Sequence, residues 1–131
     1  MNPLAFFTHA CPSWSIRTVS EKAVEFGYDC IEWRGGVQGH IQPKMSIREQ
    51  AVLRNMTRNA GLAPLSITAY TSFISPLAEE RKSNVDELKR YSDLAAELGA
   101  PYVRAFLGEL PANTDLNEPI YENISACLDI A

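Results

Sequence analysis

The sequence predicts an α/β fold in which four parallel strands alternate with helices, and three observations carry that prediction. A helix-like segment runs into a glycine and then into a short apolar strand three times. Phe26-Gly27 leads into Tyr28-Asp29-Cys30-Ile31-Glu32-Trp33-Arg34, Ala60-Gly61 into 62–70, and Leu98-Gly99 into 100–108. Glycine after a helix takes the left-handed conformation that closes the last turn. The glycines recur at positions 27, 61 and 99, a spacing that suits a repeating strand-and-helix unit rather than a hairpin. Finally, each strand sorts by alternation into an aliphatic or aromatic face and a polar face.

The elements follow in chain order. Leu4 to His9 reads as a first strand, and 11–17, with Pro12 and Trp14, as a loop. Thr18-Val19-Ser20-Glu21 has the pattern of a capping box, in which a hydroxyl and a carboxylate three residues on satisfy the first backbone donors of a helix. That helix runs to about Phe26. The second strand follows and ends at Gly35-Gly36, where a tight turn or a close ligand approach needs no Cβ. A loop over 35–44 contains His40. Ser46-Ile47-Arg48-Glu49 is a second capping box, and Ile47, Ala51, Val52, Met56 and Ala60 lie near helical spacing. The third strand is Pro64 to about Tyr70. Ser75-Pro76 marks a turn or helix start, and Ser83-Asn84-Val85-Asp86 offers another cap. Val85, Leu88, Tyr91, Ala95 and Leu98 then share a helical face. The fourth strand is Tyr102 to Leu107, and Asn117-Glu118-Pro119 opens a last helix to Ala131.

Bulk properties bound the function. The chain has 131 residues, 46% hydrophobic and 21% charged, enough for one domain over 1–131 with a core and no internal boundary. Net charge is −4 with the signs interspersed. Without a basic stripe, nucleic-acid binding by bulk electrostatics is not expected. No apolar run approaches a membrane span, and no signal-peptide pattern opens the chain. Cys11, Cys30 and Cys127 are an odd number without a C-x-x-C pair, which fits reduced thiols in the cytoplasm.

Strand alternation narrows the architecture. Ile31 and Trp33 oppose Cys30, Glu32 and Arg34. Leu65, Ile67 and Ala69 oppose Ser66, Thr68 and Tyr70. Val103, Ala105 and Leu107 oppose Tyr102, Arg104 and Phe106. A doubly wound sheet, covered by helices on both sides, would show near-continuous apolar strands. One-sided polarity fits a barrel interior, with polar groups rising to its C-terminal mouth. A two-layer sheet with one wet face is the alternative, and the barrel is favoured. A closed eight-stranded barrel takes about 250 residues. The chain is therefore expected to be the first four βα units of a (β/α)8 barrel. It would be either a fragment or a half that a second copy completes.

Two stretches carry a family resemblance. Gly27-Tyr28-Asp29-Cys30-Ile31-Glu32-Trp33-Arg34 resembles the second strand of the xylose isomerase-like TIM barrels, the sugar phosphate isomerase/epimerase superfamily. The run 94–104, Leu-Ala-Ala-Glu-Leu-Gly-Ala-Pro-Tyr-Val-Arg, resembles the passage from that family's third helix to its fourth strand. The resemblance covers essentially the whole chain but only the first half of the family fold. It implies a divalent metal (Mn, Mg, Co or Zn) held by carboxylates and a histidine at the ends of strands five to eight. A sugar's hydroxyl-carbonyl pair would then be isomerised by a proton or hydride shift, or water eliminated. Those strands are not among these four, so no metal ligand or acid/base residue is assigned here. Class II apurinic-site endonucleases, related to this family, carry metal-binding histidines after strands three and four. Here 70–73 and 106–109 contain no histidine, and this, with the acidic balance, speaks against a DNA-repair nuclease.

Six residues are candidates for a substrate pocket. Glu32 and Arg34 share the polar face at the end of strand two. They either orient a polyol through charge-assisted hydrogen bonds or form an internal ion pair. Arg104 sits mid-strand, where a buried guanidinium demands a partner; Glu32 is the natural one. His9 either contacts substrate hydroxyls or is a satisfied loop histidine. Tyr70 ends the third strand on the polar face. Trp14 offers a stacking surface, as does Phe7, whereas Trp33 alternates to the helix side and belongs to the core. His40 is expected to be solvated. Cys30 lacks a neighbouring base to activate it and reads as a small filler.

Two functions follow. In one, the full-length protein is a metal-dependent sugar or polyol isomerase, epimerase or dehydratase, and this chain supplies pocket residues without activity of its own. In the other, the chain is a non-catalytic half-barrel that forms a homo-oligomer through its strand edges and binds a small polar ligand.

Overall fold

A computed structural model describes residues 2–109 and Ser125. The last helix expected over 117–131, and Cys127, lie outside the described residues. Four strands, β1 (Ala5–Phe7), β2 (Cys30–Arg34), β3 (Ala63–Ala69) and β4 (Tyr102–Ala105), alternate with three helices, α1 (Ile16–Glu25), α2 (Ile47–Asn59) and α3 (Ala78–Leu98). All neighbouring strands are parallel and lie in the order β1-β2-β3-β4. Sequential order with a helix in every crossover is how a βα barrel is built, and these four strands are half the number that closes one.

The helices cover one face of the sheet. Ile31 and Trp33 of β2, and Ile67 and Ala69 of β3, form one apolar cluster with Val19 and Ala23 of α1, Leu53 of α2, and Leu88, Tyr91, Leu94 and Ala95 of α3. The expected alternation holds because successive strand side chains point to opposite faces. One irregularity keeps the polar sides of β2 and β3 in step. Ile31 pairs with Pro64 but Glu32 pairs with Ser66, so Leu65 is an extra residue in β3. Pro64 cannot donate to a ladder, and a bulge is where a sheet tolerates it. Beyond the bulge Ser66 sits beside Glu32 and Thr68 beside Arg34.

The three periodic glycines have φ of 80°, 86° and 76° at Gly27, Gly61 and Gly99, the left-handed values the sequence pattern requires. Some boundaries differ from expectation. The cap of α1 is Ser15, whose Oγ accepts from the Thr18 amide at 3.1 Å; Thr18 lies inside the helix. Pro12 and the turn at 12–13 place Ser15 in the extended conformation a cap needs. The second box, Ser46 with Glu49, forms as expected. Ser83 and Asn84 cap nothing, because α3 begins at Ala78. Asn84 instead accepts from the Ser72 amide at 2.8 Å. β1 stops at Phe7, and 8–10 form a 3-10 turn. β4 stops at Ala105. The carbonyls of Phe106 and Leu107 accept from Thr71 Oγ1 and the Phe73 amide instead.

Candidate functional site

The face of the sheet away from the helices carries one continuous set of polar and aromatic side chains. Its centre is Glu32. Thr68 Oγ1, on the adjacent strand, donates to Glu32 Oε1, and Arg104 Nε lies 3.1 Å from the same oxygen. Arg104 Nε is also 3.3 Å from Thr68 Oγ1. Three neighbouring strands thus meet in one charged triad. The Glu32–Arg104 pair is the one expected from the sequence. The Arg104 guanidinium is held from its sides too, 4.7 Å from the Phe7 ring centroid and 5.4 Å from that of Phe106. Such cation–π contacts favour a planar guanidinium over an ammonium.

Arg34 does not pair with Glu32 as an internal ion pair. Its guanidinium lies 5.4 Å from the centroid of Tyr70. Tyr70 stacks on Phe106 at 5.3 Å, and its hydroxyl lies 3.1 Å from His9 Nδ1. His9 in turn stacks on Phe7 at 5.5 Å. His9 is in the 3-10 turn after β1, not at a strand end, and the turn aims it across β2 to Tyr70. His9, Glu32, Arg34, Tyr70 and Arg104 therefore belong to one surface at the C-terminal ends of the strands, with Phe7, Thr68 and Phe106 between them.

Trp14 stands apart from that surface. It lies in the loop before α1, partly exposed, and no ring partner of it is found among the described residues. Its carbonyl accepts from His40 Nε2 at 3.1 Å. His40 is not solvated as expected: it is half-buried, 6.1 Å from the Trp33 ring. Burial holds its pKa below the ordinary value, and the Arg34 charge adds to this, while the carbonyls of Trp14 and Cys11 oppose it. His40 ties the loop after β2 to the loop after β1. Nothing in its local sequence, a glycine-rich stretch, announces this; the signal was the distant Trp33.

The glycine loop is fixed from below. Tyr91 of α3 is fully buried, and its hydroxyl accepts from the Gly36 amide at 2.6 Å. A Cβ on Gly35 would stand 2.7 Å from both the Thr68 carbonyl and Tyr91 Oη, so only glycine lets the chain pass. Burial pushes the Tyr91 phenol above its ordinary pKa; the Gly36 amide pulls it down and Glu87 pushes it up. Gly36 is thus committed to the fold. Cys30 is buried and unpaired in a disulfide, as is Cys11.

Among the described residues, no three His, Cys, Asp or Glu side chains converge where they could hold a metal ion. What they offer is hydrogen-bond donors, one carboxylate, two guanidinium groups and aromatic faces. That suits holding and orienting a hydroxylated molecule.

Comparisons with known proteins agree with this fold. No curated protein matches the sequence. Several solved structures match its fold. D-psicose 3-epimerase with D-tagatose from Clostridium cellulolyticum H10 has a TM-score of 0.77 at 12% identity, covering 98% of this chain and 48% of that one. The 3-keto-D-glucoside 4-epimerase YcjR from E. coli has a TM-score of 0.74 at 16% identity, covering 99% and 50%. The protein SMc04130 from Sinorhizobium meliloti 1021 has a TM-score of 0.74 at 20% identity, covering 98% and 46%. The chain spans about half the length of these proteins. A family model described as xylose isomerase-like TIM barrel matches residues 20–131. The chain belongs to the xylose isomerase-like TIM barrel family, of whose fold its described residues present four consecutive parallel strands and the three helices between them.

Proposed function

We propose that this chain is the N-terminal half of a metal-dependent sugar or polyol isomerase, epimerase or dehydratase, and that it forms part of the substrate pocket. The observation that carries this is the unbroken polar and aromatic surface running from His9 through Glu32, Arg34 and Tyr70 to Arg104. A structural filler would need only the Glu32–Arg104 pair. The extra donors and ring faces are what a polyol requires. Neighbours whose names are those of sugar epimerases support the substrate class.

In this reading Glu32 accepts from a substrate hydroxyl, while Thr68 and Arg104 hold its carboxylate in place. Tyr70, with His9, hydrogen-bonds a second hydroxyl, and Phe7 and Phe106 line the apolar side of the sugar. Trp14, apart from this surface, has no part in it and serves through its carbonyl to hold His40. A divalent metal belongs to the full-length protein in this reading and would polarise the reacting carbonyl. The described residues do not form its ligand set, and no step is assigned to them through it. A cytoplasmic setting is part of the same proposal, supported by the free, buried Cys11 and Cys30.

The test is the intact mass of the natural gene product, followed by an epimerisation assay on ketoses, ketose phosphates and keto sugar acids with Mn²⁺, Mg²⁺, Co²⁺ or Zn²⁺. A product near twice 14.6 kDa that turns over a ketose only with metal is expected, while the 131-residue chain binds polyol without turnover. Full activity in the short chain, or no sugar binding by either, would refute the proposal. The order β1-β2-β3-β4 leaves β1 and β4 each with one strand neighbour among the described residues. This favours, as second reading, a homodimer closed through those edges, visible as doubled mass in solution.

A further inference from the structure

The charges on the polar surface do not balance. Glu32, its carboxylate among the described residues, is committed to Arg104 and Thr68. Among the described residues no carboxylate lies within ion-pair distance of Arg34, and its Nε is buried without a hydrogen-bond partner. Its contact is with a ring face, Tyr70. Nor is this a surface arginine free to swing into water. Its amide donates to Thr8 Oγ1 at 2.8 Å and its carbonyl accepts from the Ile41 amide at 3.3 Å, so the backbone is fixed at both ends. The side chain is half-buried against Tyr70 at the mouth.

A half-buried guanidinium with an unsatisfied N–H is costly unless an anion completes it. Neutral hydroxyls satisfy the donors but not the charge. A planar fork of donors matches the two oxygens of a carboxylate or phosphate. We infer that Arg34 is the subsite for an oxyanion, so that the ligand of this pocket is a sugar acid or a sugar phosphate, not a neutral sugar. The inference rests on the pocket proposed above and narrows its substrate class. Tyr70 forms the floor of the subsite. Its hydroxyl is linked to His9 Nδ1.

The experiment is a titration of the ¹⁵N-labelled 131-residue chain with glycerate, glycerol 3-phosphate and glycerol, following the Arg34 Nε–H resonance and the Gly35 and Gly36 amides. One or both anions are expected to bind at least about tenfold tighter than glycerol, the worth of a charge-assisted contact. The Arg34 Nε–H signal should move with them, and their ranking separates carboxylate from phosphate. Arg34→Gln should abolish the advantage and Arg34→Lys keep part of it, which guards against a variant that misfolds. Glycerol binding as tightly as both anions, or an anion preference that survives Arg34→Gln, would overturn this inference while leaving a neutral-polyol pocket standing. No response to any of the three would overturn both.

Discussion

Removing the Tyr91 hydroxyl tests how the mouth is held together. Tyr91→Phe keeps the ring in the core and deletes only the acceptor of the Gly36 amide, 2.6 Å away. That amide is part-buried, and the nearby Thr68 carbonyl already accepts from the Gly35 amide at 2.9 Å. A hydrogen bond contributes about 1 kcal/mol net, and a buried donor left unpaired costs about 1–3 kcal/mol. The expected loss is therefore about 1–2 kcal/mol, which for a domain of this size lowers Tm by roughly 3–8 °C. Urea unfolding followed by circular dichroism gives the first number and a thermal scan the second. Hydrogen exchange at the Gly36 amide localises the effect and should speed up by about tenfold or more. The pH dependence has a definite sign. The folded pKa of Tyr91 is raised above its unfolded value of 10.0, chiefly by burial. Its contribution is thus present in full below pH 10 and is lost as pH rises through the folded pKa. Tyr91→Phe should lack that alkaline loss. Unchanged stability together with unchanged Gly36 exchange would refute the claim that α3 holds the loop.

Three further outcomes are expected. Ser15→Ala should cost about 1 kcal/mol in urea unfolding and Thr18→Ala clearly less, since Ser15 is the cap of α1; equal costs would restore Thr18 to that role. Burial first, and then Arg34, depress the His40 pKa in the fold, so its stabilising contribution is present above the unfolded value of 6.5 and lost as pH falls through the folded one. A stability–pH profile of His40→Gln that loses none of the wild-type's acid sensitivity would contradict this. A double-mutant cycle of Glu32→Gln and Arg104→Met should return a coupling of roughly 1 kcal/mol, modest because Arg104 is half exposed. A coupling near zero would mean the two groups act independently.

Sequence reasoning reached the fold because the signals that set it are local. Glycine at 27, 61 and 99 and two-residue alternation depend on backbone geometry alone; the glycines held, and the alternation held in β2 and in β3 beyond Leu65, while in β4 Ala105 is exposed and Leu107 lies past the strand. The Glu32–Arg104 pair was also legible, since polarity on one face of adjacent strands leaves few partners. Three things were not. The Leu65 bulge is a property of two strands together. The cap of α1 fell on Ser15 rather than Thr18 because the turn at 12–13 decides where the helix begins, although only Thr18 has a glutamate three residues on. The bond from Tyr91 to Gly36 joins residues 55 apart, and as part of an apolar helix face Tyr91 looked like plain core. His40 was misjudged for the same reason: the glycines around it suggested solvent, but its surroundings are supplied by Trp14 and Trp33.

The sequential strand order has a consequence for synthesis. Each pairing among the four described strands joins a strand to the next one to leave the ribosome, after a single intervening helix. Short loop closures carry a low entropic cost and favour fast folding. The sheet can therefore grow one unit at a time in the order of translation. The inner face, with its charged triad, would then be assembled last, when Arg104 arrives on β4 to meet a Glu32 already joined to Thr68.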